Sequence, residues 1–116
     1  MKSTEGLQKD RDFRKVYRQR NSMANRLLII YIRENREVYN RVGFTVSKKV
    51  GKATVRNRVK RRMKESYRKN HRQVKTGYDL VFIARDTAAE ASMAEIESAM
   101  MHLLRKKKLI KKKEVQ

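Results

Sequence analysis

The sequence predicts a single α+β domain, and three observations carry that reading. Apolar residues run unbroken or alternate over residues 27–33, 42–46 and 78–84, which is strand patterning. Between the second and third of these, Val55, Val59, Met63 and Tyr67 recur every fourth residue, as on a helix with one narrow buried stripe. A capping box, Ser92-x-x-Glu95, opens a further helix towards the C-terminus.

In chain order, Asp10 is the expected cap of a short helix carrying Phe13, Val16 and Tyr17 at i, i+3, i+4. Residues 27–33 read as a strand buried on both faces or nearly so. After a turn around 34–40, Val42, Phe44 and Val46 alternate with Gly43 and Thr45, the mark of a half-buried strand. Residues 47–51 make a short extended or turning piece, and Thr54 is the expected N-cap of a helix over 55–70. Gly77 precedes the strand at 78–84, and the last helix buries Met93, Ile96, Met100 and Leu103. The order is α-β-β-β-α-β-α, the third strand being the short piece at 47–51. Strands paired by hairpins and backed by helices give a mainly antiparallel, four-stranded sheet.

Composition narrows the function. The 116 residues hold 32 Lys+Arg against 12 Asp+Glu, a net charge of +20, with 39% hydrophobic residues and no Cys or Pro. One small domain over 1–116 is affordable; a large buried active-site cavity is not. Without Cys there is no disulfide framework, Cys-ligated zinc, thiol nucleophile or iron–sulfur cluster. The apolar run at 27–32 is far short of the roughly 20 residues of a membrane span. The first 26 residues are polar and basic, unlike a signal peptide, so the chain reads as cytosolic.

So much charge repels itself and calls for a polyanionic partner, of which nucleic acid is the obvious one. The charge is also segregated. Residues 48–72 hold twelve Lys or Arg and one acid, Glu65, whereas 86–104 hold four acids and no Lys or Arg. Seven bases follow over 105–113, so residues 105–116 are expected as a frayed helix end or mobile basic arm. A membrane surface is the competitor, but binding there usually needs a segregated amphipathic helix with bulky apolar residues opposite its basic face, and no membrane partner is expected. DNA is not expected either, for want of a helix-turn-helix spacing or a dimerising heptad run.

Catalytic groups are missing. His71 and His102 lie in different helices with no carboxylate or hydroxyl at a useful spacing. The acids form no cluster able to hold two metals, and there is neither a phosphate-cradling Gly loop nor a nucleophile motif. If the polypeptide takes part in catalysis, another molecule supplies the reacting groups.

Binding chemistry is plentiful by contrast. On a helix, Arg56, Lys60, Lys64 and Arg68 make one i, i+4 ridge, and Arg58, Arg62 and Lys69 make another. Like charges stacked this way oppose the helix by a few tenths of a kcal/mol per pair, about the size of one favourable pair. A phosphate backbone lying along the helix explains them, with arginine forks gripping phosphate and Asn57 addressing a base edge or 2′-hydroxyl. Phe13 and Tyr17 on the first helix, with Tyr31 on a strand, lie beside Arg14, Arg18, Asn25 and Arg26, the ingredients of a single-strand stacking platform. A core role competes for these aromatics, most strongly for Phe13.

The stretch Val50-Gly51-Lys52-Ala53-Thr54-Val55-Arg56-Asn57-Arg58-Val59-Lys60-Arg61 resembles the signature of the bacterial ribonuclease P protein subunit, with its Arg-Asn-Arg element opening a basic helix. Asp12-Phe13, Val16-Tyr17, Ala24-Asn25-Arg26, Arg41-Val42-Gly43, Val46-Ser47-Lys48-Lys49 and Ile83-Ala84-Arg85 run the same way and in the same order, so the resemblance covers roughly residues 7–110. It implies an α+β domain whose basic helix joins the third and fourth strands by a left-handed crossover, against the usual hand. It also implies a role: a large catalytic RNA uses magnesium to cut the 5′ leader from precursor tRNA, while the protein binds that RNA and holds the leader. The resemblance places Phe13, Tyr17 and Tyr31 in the leader cleft, with Asn25, Arg26, Lys64 and Arg68 beside them. It assigns Lys48, Lys49, Lys52, Arg56, Asn57, Arg58, Lys60, Arg61 and Arg62 to a signature face against the catalytic RNA. No residue is assigned as catalytic or as a metal ligand, and the Mg2+ is expected on the RNA. Lys64 stands where the family commonly has arginine, which keeps the charge but not the bidentate geometry. A structural RNA-binding protein, such as a ribosomal component, shares the charge and size but needs no aromatic cleft.

Overall fold

Residues 4–7 and 9–112 are described by the computed structural model. They fold as β1 (Thr4–Gly6), α1 (Asp10–Arg18), β2 (Ser22–Ala24), β3 (Leu28–Glu34), β4 (Asn40–Thr45), α2 (Ala53–Asn70), β5 (Tyr78–Ala84) and α3 (Met93–Lys106). Short 3-10 turns occupy Lys48–Val50, His71–Gln73 and Asp86–Glu90. The sheet has five strands in the order β1-β4-β5-β3-β2.

β5 takes the centre because it is apolar on both faces. Leu80, Val81 and Phe82 are all fully buried, and only a central strand covered on both sides can bury such a run. This corrects the expected pairing. β3 and β4 are not a hairpin: β5 lies between them, antiparallel to β3 and parallel to β4. A parallel pair needs a long crossover, and α2 supplies it. The sheet is therefore mixed rather than mainly antiparallel, with β1–β4 a second parallel pair and β2–β3 a second antiparallel pair. The expected short strand at 47–51 is the 3-10 turn Lys48–Val50, and the fifth and fourth strands are instead the three-residue edges β1 and β2.

Strand alternation divides the core into two layers. Leu28, Ile30, Ile32, Val42, Leu80 and Phe82 point to one face, where α2 presents Val59, Met63 and Tyr67 and α3 presents Ile96, Met100, Leu103 and Leu104. Phe44 stacks on Phe82 at 5.9 Å, and Tyr67 closes on both rings. The opposite face carries a smaller cluster, in which Leu7, Val16 and Val81 are packed by Phe13, Tyr17, Tyr31 and Ile83. So α1 covers one face of the sheet, and α2 and α3 cover the other.

Two helix starts differ from expectation. α2 begins at Ala53 with Lys52 as N-cap, whose carbonyl accepts from the Arg56 amide at 2.9 Å, so Thr54 falls inside the first turn. α1 is capped by Lys9, and Asp10 and Asp12 sit in its first turn, where their charge suits the helix dipole. The capping box of α3 is present in both directions: the Glu95 amide donates to Ser92 Oγ, and the Ser92 amide donates to Glu95 Oε1. Of the basic end at 105–116, Arg105 and Lys106 close α3, Leu109 is buried and Ile110 bridges to Val74; residues 113–116 lie outside the described residues. No helix among the described residues is long and apolar enough to cross a membrane.

Candidate nucleic-acid interface

The buried stripe of α2 fixes which of its cations face outwards. With Val59, Met63 and Tyr67 against the sheet, Asn57, Lys60, Arg61, Lys64 and Arg68 form an exposed stripe along the opposite side. Lys48, Lys49 and Lys52 extend the exposed charge ahead of the helix. Among the described residues Lys60, Arg61 and Lys64 have no carboxylate partner, while Arg68 is held by Glu65 one turn earlier. The hydrogen bond from Arg68 keeps the Glu65 carboxyl below the usual range. The pair is solvent-exposed, and such pairs add little stability.

The second basic ridge is spent inside the fold. Arg58 Nη2 donates to the Ala89 carbonyl at 2.9 Å, and Arg62 Nη1 donates to the Ala91 carbonyl at 2.6 Å. Lys69 pairs with Glu97 at 3.4 Å, and Asn70 donates to the same carboxylate at 2.7 Å. These contacts clamp α2 to α3 and to the segment that leads into it. Arg56 and Arg58 are half-buried, and each keeps a buried Nε without a hydrogen-bond partner among the described residues. Of the signature residues, then, Arg58 and Arg62 belong to the helix-docking side, whereas Lys48, Lys49, Lys52, Asn57, Lys60 and Arg61 face outwards.

The aromatic residues meet on the other face of the sheet. Tyr17 approaches Tyr31 edge-on with ring centroids 5.0 Å apart, and Phe13 lies 6.4 Å from Tyr17. All three are half-buried, so each is both wall and surface. Phe13 is seated directly on the β4 backbone at Gly43, where a Cβ would come within 2.5 Å of its ring. Gly43 is thus what lets α1 lie close to the sheet. Beside Tyr17, Arg14, Arg18 and Arg20 line an open cleft of about 430 Å³. Cations around a tyrosine suit a strand whose bases stack while its phosphates are held.

The remaining cleft residues lie elsewhere. Asn25 orders the entry to β3: its Oδ1 accepts from the Leu27 and Leu28 amides, and its Nδ2 donates to the Ala99 carbonyl at 2.9 Å. Arg26 reaches Glu95 at 3.6 Å, so both residues are drawn towards α3. Lys64 and Arg68 are on α2, which packs against the sheet face opposite the aromatic trio.

One feature escaped the sequence reading. Asp79, the second residue of the central strand, is fully buried and accepts from groups on both neighbouring strands and the loop between them. Arg41 donates from Nε at 2.9 Å and from Nη2 at 2.7 Å, Asn35 donates at 2.9 Å, and Arg33 donates at 3.1 Å. Arg41 also reaches Asp12 on α1 at 3.6 Å, which ties that helix to the sheet. Burial pushes the Asp79 carboxyl up, but the hydrogen bonds from Arg41, Asn35 and Arg33 outweigh it and hold the pKa below the ordinary value. A lone acid in an otherwise apolar strand was the available signal. Among the described residues no group of three His, Asp or Glu side chains gathers as a metal site.

A family model described as Ribonuclease P matches residues 1–108. The ribonuclease P protein component of Alkaliphilus oremlandii is 62% identical over 110 residues, which is 95% of this chain and 96% of that protein. That of Clostridioides difficile is 51% identical over 104 residues, 89% of this chain and 91% of its own. The solved RNase P protein of Staphylococcus aureus is similar with a TM-score of 0.83 and 31% identity, covering 90% of this chain and 96% of that one. The protein from Thermotoga maritima gives 0.80 and 30%, covering 88% and 96%.

Proposed function

This chain belongs to the ribonuclease P protein component family, and from that premise we propose that it binds both the catalytic RNA of the enzyme and the 5′ leader of precursor tRNA. The observation that carries this reading is the exposed stripe of α2, in which Lys60, Arg61 and Lys64 lack acidic partners among the described residues. An unneutralised row of cations costs the free protein stability and is compensated when phosphates lie along it. The stripe, with Lys48, Lys49 and Lys52, neutralises RNA phosphates where catalytic RNA and substrate approach, and so lowers the magnesium needed to overcome their repulsion. The Mg2+ of the reaction is expected on the RNA.

On the other face, Tyr17 and Tyr31 stack leader bases while Arg14, Arg18 and Arg20 hold the adjoining phosphates. Stacking of this kind tolerates any base, as a general tRNA-processing factor requires. Phe13, pressed on Gly43, positions the trio more than it touches RNA. Replacing Tyr17 with Ala is expected to weaken binding of precursor tRNA to the assembled enzyme by about tenfold, within the 1–3 kcal/mol typical of one stacked base. Mature tRNA, which has no leader, should bind as before. An equal loss for both tRNAs removes the leader from this face.

A further inference from the structure

The described residues contain three non-glycine residues with left-handed backbone, Arg20 (φ 54°), Arg36 (φ 61°) and Lys108 (φ 60°), and all three are basic. Gly or Asn occupies such positions without the steric cost that a long side chain meets there. One of them, Arg36, lines a cleft of about 730 Å³ with Gln19, Asn21, Tyr78 and Lys107, together with Arg33 and the single acid Glu34; Lys108 follows Lys107 in the chain, and Arg20 lies between Gln19 and Asn21 with its side chain in the cleft beside Tyr17. Arg20, Arg36, Lys107 and Lys108 have no carboxylate partner among the described residues. At the ends of α1 and α3, Arg20 and Lys108 gain something from the helix dipole. Arg36 ends no helix, as it lies between β3 and β4, so the dipole does not account for it.

The cleft sits at the start of β5 and the end of β3, whereas α2 begins beyond the far end of β4 and runs back towards the start of β5. Seven residues of β5 separate the two ends by about 20 Å, more than twice the Debye length of about 8 Å at physiological salt. Phosphates held at Lys48, Lys49 and Lys52, ahead of the helix, therefore leave this cleft uncompensated. We propose that the cleft is a second phosphate-binding surface, which takes the backbone of an RNA at the end of the sheet away from the start of the signature helix. Arg36 and Lys107 supply the charge inside the cleft, the exposed Lys108 adds to it from the next position in the chain, and Gln19, Asn21 and Tyr78 supply neutral donors. The proposal rests on the reading that the chain works on RNA, and the phosphates can come from the catalytic RNA or from the tRNA.

The test is the double variant Arg36→Asn, Lys108→Asn in the full-length protein, since Asn accepts the left-handed backbone and removes only the charge. Binding is measured at 0.15 M salt to a bacterial ribonuclease P RNA, and separately as affinity of the assembled enzyme for a leader-bearing precursor tRNA. The proposal expects a loss of about 20- to 30-fold on one RNA, about fivefold per lost phosphate contact, with the salt slope flatter by about one to two units. The RNA that loses affinity identifies the source of the phosphates. Thermal stability should hold or rise, and Arg36→Lys should keep parental affinity. Affinity within twofold of the parent on both RNAs overturns the proposal, as does a lowered melting temperature, which would assign both bases to holding the backbone. If the parent protein itself binds neither RNA, the RNA reading fails and takes this inference with it.

Discussion

Asp79→Ala is expected to cost about 3 kcal/mol of folding stability, the lower end of what removing one partner of a buried ion pair costs. The lower end applies because Arg33 and Arg41 keep 29% and 26% of their side chains exposed and can turn to water once the carboxylate is gone. For a domain of this size the loss corresponds to roughly 10–15 °C in melting temperature. The effect has a pH signature with a defined sign. The folded-state pKa of Asp79 lies below that of the unfolded chain, about 3.9 for an ordinary Asp, because the hydrogen bonds from Arg41, Asn35 and Arg33 outweigh the burial that pushes it up. Its contribution is therefore fully present above the unfolded value and is lost as pH falls through the folded one. Urea unfolding of parent and variant across acid pH should show a constant gap near neutrality that closes below about pH 4. A gap of the same size at about pH 2.5 would place the cost in lost packing, not in the ion network. Release of Arg41 also loosens Asp12, so α1 and the Tyr17–Tyr31 contact should become less ordered in the variant.

The second large effect concerns the exposed face of α2. The triple variant Lys60→Gln, Arg61→Gln, Lys64→Gln removes three cations that touch no carboxylate among the described residues. At 0.15 M salt the loss of three phosphate contacts weakens binding to the catalytic RNA by about 100-fold and flattens the salt slope by about two to three units. Stability should hold or improve slightly, because Lys60 and Lys64 repel each other at i, i+4. Unchanged affinity with an unchanged slope would move the RNA off this helix face. Arg58→Ala and Arg62→Ala serve as the contrast. Their guanidinium groups hold the Ala89 and Ala91 carbonyls, so their main expected effect is on the docking of α2 against α3.

That contrast marks where sequence reasoning reached its limit. Periodicity shows which residues of a helix share a face, but not which cation bends back to a carbonyl thirty residues away. Arg58 and Arg62 thus read as RNA-facing, although each is half-buried against the segment before α3. The strong local patterns did place elements: the alternation at 42–46, the apolar strand at 78–84, the every-fourth stripe of α2 and the capping box at Ser92 all stand in the structure. Sheet order was not local information. Nothing within 27–46 reveals that β5 separates β3 from β4; that follows from its need for cover on both faces, which only the assembled sheet provides. The edge strands β1 and β2, at three residues each, are too short to show a period. The meeting of Phe13, Tyr17 and Tyr31 was legible because helix spacing and strand alternation each point to a single face. The seat of Phe13 on Gly43 was not, since it depends on how closely α1 approaches the sheet.

We propose that this protein assists the RNA-based cleavage of precursor tRNA through phosphate neutralisation and leader binding. The most direct measurement is cleavage of precursor tRNA by a bacterial ribonuclease P RNA at low magnesium, with and without the protein. The protein is expected to restore cleavage at the mature 5′ end under conditions where the RNA alone is nearly inactive. Tight binding to both RNAs with no gain in cleavage rate or substrate affinity would contradict it, and would leave a structural RNA-binding protein in its place.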